Sequence, residues 1–364
     1  MCEAWNGGCG RLKLLILLLC LCCLCGCETH RNDELHHTES SEITDHNNAI
    51  HTEDGFVFER SEGGLILTAY NGKETDVTVP GTVENESIVM IGEKAFLKKN
   101  VTFIQLPDTI QRIGSYAFSA CTMLESIDMK NGIRKIGDGA FNYCLALSEI
   151  ILPESVSEIG EGCFVGCSSI KTIIIPLNVR TLRDRTFGTV NNTPCGLTEI
   201  TIGTNITDIG EGVFSDKLTA FHVSEDNPVF TDIDGVLMTK DTQTILIYPA
   251  GNLREVYEVP SEIKYIGENA FKKASHLKEI TVSENVEALA FRSLSGCTSL
   301  EKITFLSDTT MIDPYAFYSG GISIKNGVSK PLEPTNYSFV IICRHGSTAE
   351  QFAQENQIVV EYME

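Results

Sequence analysis

The sequence predicts an α/β repeat solenoid: a stack of short coils sharing a parallel β-sheet, opened by a β segment and closed by a β-α-β cap. Three observations carry this. A pattern Ile-Gly-x-x-Ala-Phe recurs, with its anchor at Phe96, Phe118, Phe141, Phe164, Phe187, Phe214, Phe271, Leu294 and Phe317. The intervals are 22, 23, 23, 23, 27, 57, 23 and 23 residues, and five equal values in eight are not a product of chance. Between anchors lies a segment Leu-x-x-Ile-x-Leu/Ile whose second half alternates apolar and polar residues, the period of a half-buried strand.

The amino terminus reads as an address. Arg11 and Lys13 precede an apolar run from Leu14 to Cys25. Its length of about 18 Å as a helix falls short of the ~30 Å hydrocarbon core, so it fits a secretory signal better than a spanning helix. The run ends in Leu24-Cys25-Gly26-Cys27, which resembles the bacterial lipobox. The resemblance implies a lipoprotein signal peptide over residues 1–27, with the lipid on Cys27; ordinary signal cleavage or an uncleaved anchor is the alternative. Residues 28–54 hold eight acidic residues, one Arg and five His with few apolar residues. Such a segment cannot bury enough surface to fold and reads as a disordered acidic and His-rich tether. Its histidines lack the fixed spacing of a metal site.

The solenoid is expected over residues 55–335. A 23-residue coil cannot hide its own apolar face and must stack on the next. Strand segments fall at Leu124–Met129, Leu147–Leu152, Ile170–Ile175, Leu197–Ile202, Leu277–Val282 and Leu300–Phe305. At about 4.8 Å per coil they form one long parallel sheet. The Gly of each Ile-Gly pair (Gly92, Gly114, Gly137, Gly160, Gly210, Gly267) is expected at positive φ. An irregular insertion occupies about 222–260, where Gly235–Met238 and Thr244–Tyr248 read as paired strands. Residues 336–364 form the cap: a strand at Phe339–Cys343, a helix opened by the capping box Ser347-Thr-Ala-Glu350, and a returning strand at Gln357–Tyr362.

These residues resemble the BspA-type leucine-rich repeats, a 23-residue class found in bacterial surface proteins and some protists. The resemblance covers about Gly55 to Glu364, with departures at Leu182-Arg183, Ala290-Phe291 and Ile312-Asp313-Pro314. It implies a leucine-rich-repeat-like fold and a surface-exposed or secreted protein. Several members of the class are adhesins, and none of its shared motifs is catalytic.

Charge narrows the partners. With 28 basic and 49 acidic residues the formal charge is −21, which argues against binding to a nucleic-acid backbone. Val229-Phe-Thr-Asp232-Ile-Asp234-Gly235 resembles the first motif of haloacid dehalogenase-type phosphatases, in which the first Asp is the nucleophile. It lies between repeat coils, without the doubly wound domain that chemistry needs, and reads better as a turn. An acidic lane follows the repeat Gly at Glu93, Asp138, Glu161, Asp184, Glu211 and Glu268, each carboxylate expected to open a short helical turn. A row of weak calcium sites is the alternative. Cys121, Cys144, Cys167 and Cys297 share one repeat position and read as unpaired packing thiols, with one disulfide or a metal site as the alternative. Cys343 and His345 have no third group beside them.

What remains is surface. Phe103, Glu149, Ile151, Thr172, Ile174 and Glu199 face outward on the expected sheet and form the candidate binding face. The sequence thus points to a non-catalytic, lipid-anchored cell-surface protein without cofactor or metal. Its expected partner is an extracellular protein or glycan of host matrix or neighbouring cells. Secretion is the alternative location and an envelope spacer the alternative role.

Overall fold

A computed structural model describes residues 49–320, 322–325, 328–331 and 337–364, the side chains of residues 322–331 excepted. The expected signal peptide with Cys27, and the tether up to residue 48, lie outside the described residues. The tether reading runs too far in one respect. Ile50–His51 pairs antiparallel with Val57 and Phe58, so the ordered fold begins before Gly55.

Most coils contribute to three backbone ladders, where one sheet was expected. The first is the expected parallel sheet. It runs from Asp76–Thr78 through Phe103–Gln105 and Ser126–Asp128 to Glu149–Ile150, in steps of one coil. It resumes at Glu199–Ile202 and Ala220–Val223. A second stretch begins at Val256–Glu258 and continues through Glu279–Val282 and Lys302–Phe305. The strand expected at Ile170–Ile175 is absent: this segment is not paired as a strand.

The second ladder is built by the residues just before the repeat Gly. Glu86–Ile91, Arg112–Ile113, Lys135–Ile136 and Glu158–Ile159 pair in parallel, as do Tyr265–Ile266, Ala288–Leu289 and Met311–Ile312. The hairpin of Phe56–Ser61 and Gly64–Tyr70 joins this ladder at Glu86–Ile91 and closes the amino end.

The third ladder lies in the Ala-Phe turn. Phe96, Phe118 and Phe141 donate their N–H to the carbonyls of Ala117, Ala140 and Cys163 in the next coil, at 2.7, 2.8 and 3.0 Å. The turn is not helical. It is a run of tight turns, such as Ala95 N to Gly92 O and Leu97 N to Lys94 O. The left-handed residue is not the repeat Gly but the position two further on, where Lys94, Tyr116 and Arg185 have φ of 58°, 56° and 55°. The repeat Gly answers to a different demand. A Cβ on Gly137 would lie 2.6 Å from the Ser115 nitrogen of the preceding coil. At Gly137 it is this close approach of two backbones, not local φ, that leaves no room for a side chain.

Between the ladders the core of the first half, from Phe56 to Leu237, is continuous along the axis. Rings of Tyr70, Phe96, Phe118, Phe141, Phe164, Phe187 and Phe214 stack in sequence with centroids 5.1 to 6.4 Å apart. Each such contact adds about 0.5–1.5 kcal/mol beyond its buried area. The coils with Ala290 and Asp313 in the Gly place remain regular: Ala290 N and Asp313 N bond Ile266 O and Leu289 O at 2.9 and 3.0 Å.

The insertion is a three-stranded meander. Val236–Thr239 pairs antiparallel with Thr244–Ile247, as expected, and also with Phe230–Ile233. Thr244–Ile247 then pairs in parallel with Tyr265–Ile266 and restarts the second ladder. The cap is as read. Val340–Cys343 extends the first ladder beyond Lys302–Phe305, and Val359–Tyr362 closes it. The helix Thr348–Glu355 connects them, with the Ser347 side chain accepting the Glu350 N–H. The Glu350 carboxylate reaches one residue further back than a standard capping box, to the Gly346 N–H at 2.5 Å.

Candidate binding face

The first ladder places the candidate residues on one outward face. Ile104, Ile127, Ile150 and Ile173 turn inward and are buried, while the residues between them turn out. Ile151 and Ile174 are each 82% exposed, and Leu177 is 60% exposed. Glu149, Thr172 and Glu199 are exposed beside them. Phe103 also alternates outward about the buried Ile104, but it is half-buried. Thr172 and Ile174 share the face without a strand beneath them. Leu177, just past Pro176, was outside the strand pattern and so escaped sequence reading.

The charge around this face is only partly neutralised. Glu199 Oε2 lies 3.2 Å from His222 Nε2 on the neighbouring coil, and Asp128 Oδ2 lies 2.5 Å from Lys130 Nζ. The combination is an apolar pair inside an acidic frame, a surface that offers contact area.

The acidic lane has a structural task. Asp138 Oδ1 accepts the Glu161 N–H, and Asp184 Oδ1 the Glu211 N–H, both at 2.8 Å. These two carboxylates staple their coils to the next rather than capping a helical turn. Among the described residues no group of three His, Cys, Asp or Glu side chains is placed to hold a metal ion.

The cysteine column is made of free thiols. Cys121, Cys144, Cys167 and Cys297 donate to the carbonyls of Phe96, Phe118, Phe141 and Phe271, at 2.9, 3.1, 3.0 and 3.1 Å. Burial pushes the Cys121 and Cys195 thiols up to about 11 and Cys297 up to about 12. The same cause raises Cys144, Cys163 and Cys167. These groups are poor nucleophiles at neutral pH.

The phosphatase-like motif is a hairpin. Asp234 and Gly235 both have positive φ, 52° and 80°, as a two-residue turn of the first primed type requires. Asp232 spends both carboxylate oxygens on backbone: Val223 N–H at 2.8 Å and Gly235 N–H at 3.3 Å. His345 lies over the Tyr362 ring at 3.6 Å and Cys343 is buried, so this pair belongs to the cap.

Solved structures share this architecture. The chain resembles the pneumococcal vaccine antigen PcpA with a TM-score of 0.56 at 18% identity, covering 87% of this chain and 99% of that one. A leucine-rich cell surface protein of Faecalibacterium prausnitzii A2-165 gives 0.56 at 23%, over 87% and 95%. A leucine-rich repeat protein of Bacteroides ovatus gives 0.50 at 16%, over 86% and 99%. At these identities the likeness establishes the fold. No curated protein matches the chain in sequence. The pattern of the BspA-type leucine-rich repeat region matches residues 89–220 and 248–328, in six copies. By that match over more than half its length, the chain belongs to the BspA-type leucine-rich repeat family.

Proposed function

We propose that the chain is a non-catalytic surface protein that holds an extracellular protein or glycan on the outward face of its first ladder. The observation that carries this reading is the pair Ile151 and Ile174, each 82% exposed on neighbouring coils. Large apolar side chains so exposed lose nothing by being covered, and a partner that covers both gains their burial. The surrounding Glu149 and Glu199 favour a partner with some positive charge and disfavour a nucleic-acid backbone. Attachment through a lipid on Cys27 completes the reading; no helix among the described residues is long and apolar enough to cross a membrane.

Adhesion of intact cells to immobilised matrix proteins and to a glycan array tests the face. Ile151→Asp with Ile174→Asp is expected to reduce retention at least tenfold, with the circular dichroism spectrum unchanged. Equal retention of the double variant removes the face from the proposal, and no retention by either protein favours an envelope spacer. Incorporation of labelled palmitate, lost in Cys27→Ala, tests the anchor separately.

A further inference from the structure

One junction between coils is built unlike the one before it. The coil ending in Glu149–Ile150 and Glu158–Ile159 is held to the preceding coil by all three ladders. It is held to the following coil by one. No backbone hydrogen bond joins residues 148–153 to residues 171–176, and none joins 157–160 to 180–183. The turn ladder alone persists, through Gly162 N to Asp184 O at 2.9 Å, Phe164 N to Thr186 O at 2.8 Å and Gly166 N to Gly188 O at 3.4 Å. On that side Phe164 and Phe187 stay stacked, 5.6 Å apart and 6° from parallel.

Side chains replace the missing backbone bonds. Arg183, which stands in the repeat Gly place, reaches back to Glu158 at 2.7 Å, and Arg185 pairs with Glu161. Asn178 Nδ2 donates to Glu154 O at 2.7 Å, and Leu177 N to Glu154 Oε2 at 3.4 Å. The four charged side chains are between 33% and 62% exposed, so their attraction is open to screening. A Cβ in the Gly place does not by itself open a junction, since the coils at Ala290 and Asp313 keep their ladder.

We infer that the junction between residues 148–167 and 171–188 is a hinge, pivoting on the phenylalanine turns and latched by the pairs Arg183–Glu158 and Arg185–Glu161. Two ladders lapse on one side while the ring stack and turn ladder hold the other, so the low-energy motion is a rotation rather than a separation. Elements with few backbone bonds and exposed contacts are those that open first in a native protein. Ile151 and Ile174 stand on opposite sides of this junction, so opening changes the spacing of the candidate face. The hinge itself does not depend on that face binding anything.

Hydrogen exchange of the full chain, without ligand, tests it. Protection factors over residues 171–183 are compared with the equivalent stretch 125–137, at low salt and in 1 M NaCl. Residues 171–183 are expected to exchange at least tenfold faster than 125–137, and about two- to fivefold faster again in high salt. Glu158→Gln with Glu161→Gln is expected to reproduce the high-salt rate at low salt and to abolish the salt response. Equal protection of the two stretches overturns the hinge. A salt-insensitive rate in the wild-type protein overturns the latch, and that arm stands even if the double variant does not fold. None of these outcomes touches the adhesion assay, so either proposal can fail alone.

Discussion

A thiol at the position of Cys144 does two things that alanine or serine would do less well. It fills space beside the ring stack, and it donates to Phe118 O at 3.1 Å without the desolvation cost of a hydroxyl. With thiols pushed up to about 11, the reactive thiolate at pH 7.5 is on the order of 0.1% or less of Cys121. Ellman's reagent is therefore expected to label none of the seven described cysteines within minutes in the native protein, and all seven of them in guanidinium. Fast native labelling of one would contradict the burial. The repeat Gly makes a sharper demand. Gly137→Ala places a methyl group against the Ser115 nitrogen, and neither backbone can retreat while the ladders on both sides hold. A loss of about 2–3 kcal/mol is expected from urea denaturation followed by circular dichroism. A loss under 0.5 kcal/mol would mean that coil spacing is softer than the ladders imply.

Element by element, what the sequence shows depends on how many residues each element spends. The first ladder was legible because Ser126-Ile127-Asp128 and its equivalents are long enough to alternate. The second was not, because Lys135–Ile136 is two residues and two residues have no period. The conformation at Lys94 and Tyr116 was hidden for another reason: the neighbouring coils set it, and neither residue type prefers it. The error over Gly137 has the same origin, a contact 22 residues away read as a local torsion. The candidate face was legible where it rests on outward alternation, at Ile151 and Ile174, and at Phe103, which alternates outward but is half-buried. Asn227, which sequence reading passed over, anchors the insertion. Fully buried, it donates to Gly203 O and Ile206 O at 2.7 and 2.9 Å and accepts from Val229 N and Phe230 N at 2.9 and 2.8 Å. Asn227→Ala strips all four bonds at a fully buried position, and about 3 kcal/mol or more should be lost. A urea midpoint unchanged from wild type would show that the insertion is held elsewhere.

At the scale of the whole molecule the stack has two cores, not one. The first runs from Phe56 to Leu237 and the second from Val236 to Ile358. They meet across the meander, where Leu237 belongs to the first core and Val236 and Met238 to the second. In a linear array, stability is a sum of unit terms and nearest-neighbour terms, so a thin joint weakens the coupling of everything on either side. The second core also starts from a poorer position. Its ring stack is interrupted at Leu294, and the hydroxyls of Tyr248, Tyr257 and Ser293 are buried without a hydrogen-bond partner. Each such group costs about 1–3 kcal/mol. In the wild-type protein the meander should still hold the halves together, with residues 103–230 and 245–358 losing exchange protection at one urea concentration. Leu237→Ala with Met238→Ala removes about 2–4 kcal/mol of packing on each side of the joint. Two midpoints should then appear, the carboxyl-terminal half melting first. Coincident midpoints in the double variant would show that the ladders, rather than the strand at Val236–Thr239, carry cooperativity across the insertion.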